Sequence, residues 1–241
     1  MPTSRNHWFL RGAMVGVLLA GALNAASYFA RSEGGGNLLG NHPRQREAIG
    51  FPLEMWEAGN DFDGYYVDLG PFLLNIACGA AMGIAAGVFT LRFRPLLDSL
   101  EQDVERTLAN APRHPPQISL RGMLVATGLA ALVAAAARYA NEGRPEVLGA
   151  FYLLGPWLLV ATAFLPLGLN WQQRVYVVIP VTFLLMAGGI LVGRSLAPPL
   201  EFDKVLLGTF ICWTPQAVLV AFGVTAWLFH DWLKHRGTTD F

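Results

Sequence analysis

An uncharged run of 23 residues, from Leu69 to Leu91, most constrains what this chain can fold into. An α-helix rises about 1.5 Å per residue, so a helix over this run would cross the roughly 30 Å hydrocarbon core of a bilayer. A helix that is apolar on every side lies either in the core of a large protein or in a membrane. The run therefore predicts a membrane-spanning helix.

Glycines recur at helical spacing within this run. Gly79, Gly83 and Gly87 fall at positions i, i+4 and i+8, and Gly12 and Gly16 repeat the spacing in the first apolar segment. Small residues at this spacing let two membrane helices approach closely. We interpret both sets as helix-packing surfaces, and we favour packing within the chain over packing between chains.

The composition of the 241-residue chain points to the same class. Charged residues make up 14% of the chain and hydrophobic residues 54%, whereas ordinary soluble domains are about 25% charged. The 17 basic and 17 acidic residues cancel, so no excess of positive charge indicates a nucleic-acid partner. Cys78 and Cys212 lie in apolar runs, which favours small buried hydrophobic residues over a disulfide.

Several apolar segments of this kind predict an all-α polytopic transmembrane helix bundle in a single domain. The six predicted spans are residues 8–30, 69–91, 120–140, 147–169, 175–192 and 205–229. Residues 31–68 and 92–119 form the two longer loops between them. The first span could instead be a cleaved signal peptide, because the small residues from Ala20 to Ala26 are typical of a cleavage region.

The distribution of basic residues predicts the orientation of the spans. With the N-terminus inside, ten of the 17 Lys and Arg residues fall on the cytoplasmic side. Positive charge near the ends of spans favours the cytoplasm, so both termini and the loop 92–119 are predicted to be cytoplasmic. The loop 31–68 is then extracytoplasmic.

The loop 31–68 combines aromatic and acidic residues and is too apolar for a free linker. We expect it to fold onto the membrane face of the helices and to bind a protein partner. The predicted partner surface consists of Trp56, Asp61, Asp63, Tyr65 and Tyr66. The leading prediction is therefore a non-enzymatic structural or partner-binding membrane subunit, surrounded by the lipid bilayer.

Polar residues within the spans support an alternative function, a channel or carrier for a small neutral solute. Gln216 stands out, because a proline beside it frees a backbone carbonyl and an amide there could line a cavity. The predicted solute-lining residues are Trp213, Thr214 and Gln216. Other polar residues in the spans, such as Asn24 and Asn75, are interpreted as hydrogen-bond partners of neighbouring helices. No ionisable group lies at a span centre to couple transport to protons or sodium.

No catalytic, cofactor or metal site is predicted. No carboxylate lies in the middle of a predicted span, and the HExxH zinc motif is absent from the sequence. The spacing of His230, Asp231 and His235 is loose for a metal, and the run from Asp61 to Asp68 departs from the order of a calcium loop. A membrane enzyme is a third alternative. Its candidate acids are Glu54, Glu57, Asp61 and Asp63.

Two short stretches resemble uncharacterised planctomycete-type multi-pass bacterial membrane proteins. Residues 118–124 resemble the FSLR-TLL start of helices in such proteins, with Ile118 and Gly122 in place of the usual Phe and Thr. The second stretch is residues 50–53, Gly-Phe-Pro-Leu, followed by an aromatic and acidic loop and then a span. The resemblance implies a protein of the bacterial cytoplasmic (inner) membrane and implies no functional residue.

Overall fold

Helices dominate the chain in a computed structural model that describes residues 5–40, 45–60, 66–110, 144–164 and 171–236. The six helices in these ranges are α1 Arg5–Arg31, α2 Leu69–Arg92, α3 Arg94–Asn110, α4 Pro145–Phe164, α5 Trp171–Ser195 and α6 Phe202–Arg236. All except α3 are long and apolar enough to cross a membrane. These five candidate spans confirm the predicted all-α polytopic bundle. The predicted span over residues 120–140 lies outside the described residues.

Helix α2 begins where the sequence supplies a cap. The Asp68 carboxylate accepts a hydrogen bond from the Gly70 backbone N–H at 3.1 Å, which satisfies one of the free donors of the first turn. Pro71 follows within that turn, where a missing N–H costs little. The helix continues through the uncharged run and ends at Arg92.

Helices α1 and α2 pack antiparallel along their glycines. A Cβ atom built on Gly16 would lie only 2.5 Å from the Met82 carbonyl oxygen and 2.8 Å from the Gly83 Cα. A Cβ atom on Gly87 would lie 3.0 Å from the Phe9 carbonyl oxygen. The two backbones therefore approach more closely than any side chain at these positions would permit.

The amphipathic helix α3 packs against the start of α1. The Trp8 indole N–H donates to the Asp98 carboxylate at 2.6 Å, and Arg11 forms an ion pair with Glu101 at 3.0 Å. The Thr90 hydroxyl on α2 donates to the Trp8 carbonyl at 2.9 Å, so three helices meet at this residue. An acidic helix is thereby held on the protein rather than on a lipid surface.

The other end of the bundle carries the core. The C-terminal ends of α1 and α5 meet the N-terminal ends of α4 and α6 there, and we call this region the loop end. The side chains of Tyr28, Leu148, Val205 and Ile211 are completely buried in it. A short hairpin in the loop, Ala48–Ile49 paired with Trp56–Glu57, contributes Ile49 to the same core.

Large apolar side chains cover the outer faces of the helices. Leu73, Phe183 and Leu191 are 63%, 68% and 70% exposed within the chain. Exposure on this scale in long apolar helices indicates contact with the lipid bilayer. Helix α6 continues to Arg236, beyond the apolar segment predicted to end at residue 229, because a helix with its own hydrogen bonds need not end at the bilayer boundary.

Candidate functional site

The loop between α1 and α2 is bound to both helices through its described residues, 32–40, 45–60 and 66–68. Three polar side chains accept hydrogen bonds from its backbone N–H groups. The pairs are Ser27 with Gly50 (2.9 Å), Asn24 with Phe51 (2.9 Å) and Asn75 with Leu53 (3.0 Å). Asn75 also donates to the Leu53 carbonyl at 2.7 Å. These bonds attach the loop backbone to α1 and α2.

A buried carboxylate joins the loop to α1 and α6. Glu47 is 7% exposed, and its Oε2 atom accepts from the Lys204 ammonium at 2.9 Å. The Tyr28 hydroxyl donates to Oε1 of Glu47, and the Asn37 backbone N–H lies 3.2 Å from the same oxygen. A buried charge needs a counter-charge and further hydrogen bonds, and this network supplies both.

A second ionic cluster covers the outside of the loop. Arg46 donates to Glu57 and to Glu54, both at 2.6 Å, and Arg31 lies 3.5 Å from Glu54. The hydrogen bond from Arg46 lowers the pKa of the Glu57 carboxyl, so this contact weakens as pH falls through that lowered value. Glu54 and Glu57 are the two candidate acids of the enzyme alternative that lie in described residues, and both are held in ion pairs. The other two, Asp61 and Asp63, lie outside the described residues.

An acidic and aromatic pocket opens at the loop end, with a volume of about 570 Å³. Trp56 and Tyr66 stack in its wall, with ring centroids 6.2 Å apart. Glu201, directly before α6, completes the rim together with Asp203 and Lys204 in the first turn, and the Lys204 ammonium is paired with Glu47. Partial burial in the pocket and the carboxylates of Asp203 and Glu201 raise the pKa of the largely exposed Tyr66, so Tyr66 is neutral at physiological pH.

Two of the predicted partner residues therefore come together in this pocket. They are Trp56 and Tyr66, whereas Asp61, Asp63 and Tyr65 lie outside the described residues. Glu201 and Asp203 were not predicted from the sequence, and they are more than 130 positions further along the chain. The signal in the sequence was the short acidic segment from Glu201 to Asp203, because acids directly before an apolar span lie at the start of its helix.

A second cavity, the uncharged groove, lies between α1, α4 and α6 and has a volume of about 520 Å³. Its described walls contain apolar residues, glycines and the amides Asn37, Gln45 and Gln216, and no charged side chain. Of the three predicted solute-lining residues, Gln216 lines this groove. Trp213 and Thr214 are not among its described lining residues.

Trp213 and Gln216 both connect α6 to α4 by hydrogen bonds. The Trp213 indole donates to the Phe151 carbonyl at 3.1 Å, and the Gln216 amide nitrogen donates to the Tyr152 carbonyl at 2.9 Å. Pro156 has no N–H, so the Tyr152 carbonyl four residues earlier lacks its helical partner. Gln216 supplies the missing donor from another helix.

No group of three metal-binding side chains occurs within the described ranges. Cys78 and Cys212 are both free and partly buried. No protein-family model, curated protein or solved structure matches the chain.

Proposed function

We propose that this membrane protein is a non-enzymatic, partner-binding subunit. Its acidic and aromatic pocket would bind a basic segment of a second protein. The observation that carries the proposal is the combination of stacked Trp56 and Tyr66 with Glu201 and Asp203 around one cavity. Within the described residues, neither of these two acids has an ion-pair partner.

The chemistry of the pocket favours a cation with an apolar stem. A Lys or Arg side chain can place its aliphatic part on an aromatic ring while its charge faces carboxylates. Tyr66 is 69% exposed, which is unusual for a large aromatic residue that merely packs. Aromatic residues of this kind are enriched among the side chains that dominate binding energy at interfaces.

The described part of the loop supports this function because hydrogen bonds hold it on the helices. The hydrogen bonds from α1 and α2 and the network around Glu47 fix residues 47–53 of the loop before a partner arrives. A preorganised surface loses less conformational freedom on binding than a mobile one.

Substitutions in the pocket test the proposal. We expect Tyr66→Ala, or reversal of both rim charges with Glu201→Lys and Asp203→Lys, to weaken partner binding at least tenfold, because each removes a central contact. The measurement is affinity capture of the tagged chain from native membranes in mild detergent, followed by mass spectrometry and titration of the purified partner. Binding to the native pocket should also weaken as salt is raised.

Phe183→Ala is the matched control, because Phe183 is an equally exposed aromatic residue on α5. It should leave partner binding unchanged. A partner whose affinity ignores both pocket variants, or one that carries no basic segment, would refute the proposed binding mode.

We further propose that the loop end faces outside the bacterial cytoplasmic membrane, with both termini inside. The excess of basic residues on the opposite side and the resemblance to planctomycete-type membrane proteins support this placement.

Cysteine labelling tests the orientation. A cysteine introduced as Ala58→Cys in the loop should react with a membrane-impermeant maleimide in intact spheroplasts, because Ala58 is exposed. Gln102→Cys on α3 is the control and should react only after permeabilisation. The native cysteines lie within spanning helices. The reverse pattern of labelling would show that the proposed orientation is wrong.

A channel or carrier for a small neutral solute is the second candidate function. The observation that favours it is the uncharged groove, which reaches Gln216 within the spanning part of α6. A channel or carrier function first requires that a neutral molecule bind saturably in this groove.

A further inference from the structure

We propose that the uncharged groove is a binding site for a neutral, mainly apolar molecule that carries one hydroxyl group. The hydroxyl would donate a hydrogen bond to the side-chain oxygen of Gln216. The inference deepens the second candidate function by naming a ligand class, and it does not depend on partner binding at the loop end.

The walls of the groove select against charge. They combine α1 at Phe29, the loop at residues 34–39, α4 around Tyr152 and α6 from Ile211 to Gln216. A charged ligand among the helices of a membrane protein requires a counter-charge, and the described walls provide none. An apolar ligand, by contrast, exchanges lipid contacts for protein contacts at little cost.

Gln216 indicates what polar group the ligand must carry. Its amide nitrogen donates to two carbonyls, those of Tyr152 and Cys212, both at 2.9 Å. Its side-chain oxygen accepts no hydrogen bond in the described part of the protein and is closed off from a water-sized molecule, so a ligand hydroxyl reaches it only after a small shift of the groove wall. An unsatisfied buried acceptor is costly, so a ligand with a donor at this point gains more than one without.

The groove has the size and the access that such a ligand needs. A volume of about 520 Å³ falls within the roughly 300–1,000 Å³ of known small-molecule sites. Leu153, which lines the groove, is 63% exposed on the outer face of α4. The ligand can therefore enter sideways from the bilayer, where apolar alcohols concentrate.

The probe pair is dodecan-1-ol and dodecyl methyl ether, which differ in the hydrogen-bond donor. The experiment measures radiolabelled dodecan-1-ol bound to the full chain in lipid nanodiscs, after subtraction of binding to empty nanodiscs. We expect saturable binding, and we expect the ether to compete about three- to tenfold less well, the worth of one hydrogen bond. Equal competition by the two probes, or no saturable binding, would overturn the proposal in favour of a groove filled by water or lipid.

Two variants locate the site. Gln216→Leu removes the acceptor but also leaves the Tyr152 carbonyl without a donor, so it is combined with Pro156→Ala, which restores the helical N–H. In this double variant the two probes should bind equally well. If the double variant still binds the alcohol more tightly than the ether, Gln216 is not the acceptor of the ligand's hydroxyl.

Gly149→Leu fills the groove without touching Gln216. A Cβ atom on Gly149 would make an ordinary contact of 3.7 Å with Leu39, so the helix packing should survive while both probes bind at least tenfold more weakly. Gly189→Leu on α5 is the matched control, because a Cβ atom there meets nothing within 4 Å. Unchanged binding in Gly149→Leu would contradict the assigned site.

Uptake of the labelled alcohol into proteoliposomes separates this inference from transport. Saturable binding with no uptake above that of protein-free vesicles would refute the carrier function and leave the binding site in place.

Discussion

Replacement of Glu47 by alanine should lower the free energy of unfolding by about 3 kcal/mol, because it removes one partner of a buried ion pair. Two groups lose their acceptor at once, the Lys204 ammonium and the Tyr28 hydroxyl. The Asn37 backbone N–H loses one of its two acceptors and keeps the Tyr28 hydroxyl oxygen at 3.0 Å. Desolvated donors left in this way cost more than the net value of the bonds. The measurement is the thermal unfolding midpoint of the purified protein in a mild detergent.

Glu57→Ala provides the control for this prediction. Glu57 also pairs with a cation, but its partner Arg46 has a side chain that is 50% exposed. Exposed pairs contribute about 0–1 kcal/mol, so this variant should unfold close to the native midpoint. Equal effects of the two substitutions would show that the Glu47 network carries no special weight at the loop end.

Gly16→Val should separate α1 from α2 and destabilise the protein by about 3 kcal/mol, the upper range for overpacking. The new Cβ atom would lie 2.5 Å from a backbone oxygen of α2, and backbone atoms cannot move aside as a flexible side chain can. The expected result is a large drop in the unfolding midpoint. Loss of the Thr90 to Trp8 hydrogen bond should accompany it, because that bond joins the same two helices.

Gly79→Ala is the corresponding control within the same glycine series. A Cβ atom on Gly79 would lie 3.5 Å from Ala20, an ordinary van der Waals distance. This substitution should therefore change the unfolding midpoint little. A strong effect of Gly79→Ala, or a weak effect of Gly16→Val, would indicate that the two helices do not pack as described.

Those parts of the fold that depend on local sequence could be predicted. Long apolar runs predict spans because hydrophobic length and bilayer thickness must match, and the α2 helix starts at its capping residue Asp68. Glycine spacing predicts a smooth helix face, and the structure places Gly16 of α1 directly on Gly83 of α2.

The hydrogen-bond partners of polar side chains were much harder to predict. Asn24 and Asn75 were expected to bond neighbouring helices, but they bond the backbone of the loop. Both choices satisfy a half-buried amide equally well, so residue type alone does not decide between them. Only the tertiary arrangement brings the loop over these helix ends.

Both candidate sites also depend on distant segments. The acidic and aromatic pocket joins Trp56 to Asp203, and the uncharged groove joins Phe29 to Gln216. No spacing rule connects such pairs in one sequence. Gln216 attracted attention for its neighbouring proline, whereas the structure explains it through Pro156 on another helix.

The Glu47–Lys204 bond also sets an order for biosynthesis. The two residues are 157 positions apart, so at about 5–20 residues per second the ribosome needs roughly 8–30 s to produce the second after the first. During that interval the loop carries a carboxylate whose cation does not yet exist. The loop end therefore becomes complete only when the start of α6 has been synthesised. A chain that stops earlier keeps the Glu47 carboxylate at the loop end without its counter-charge.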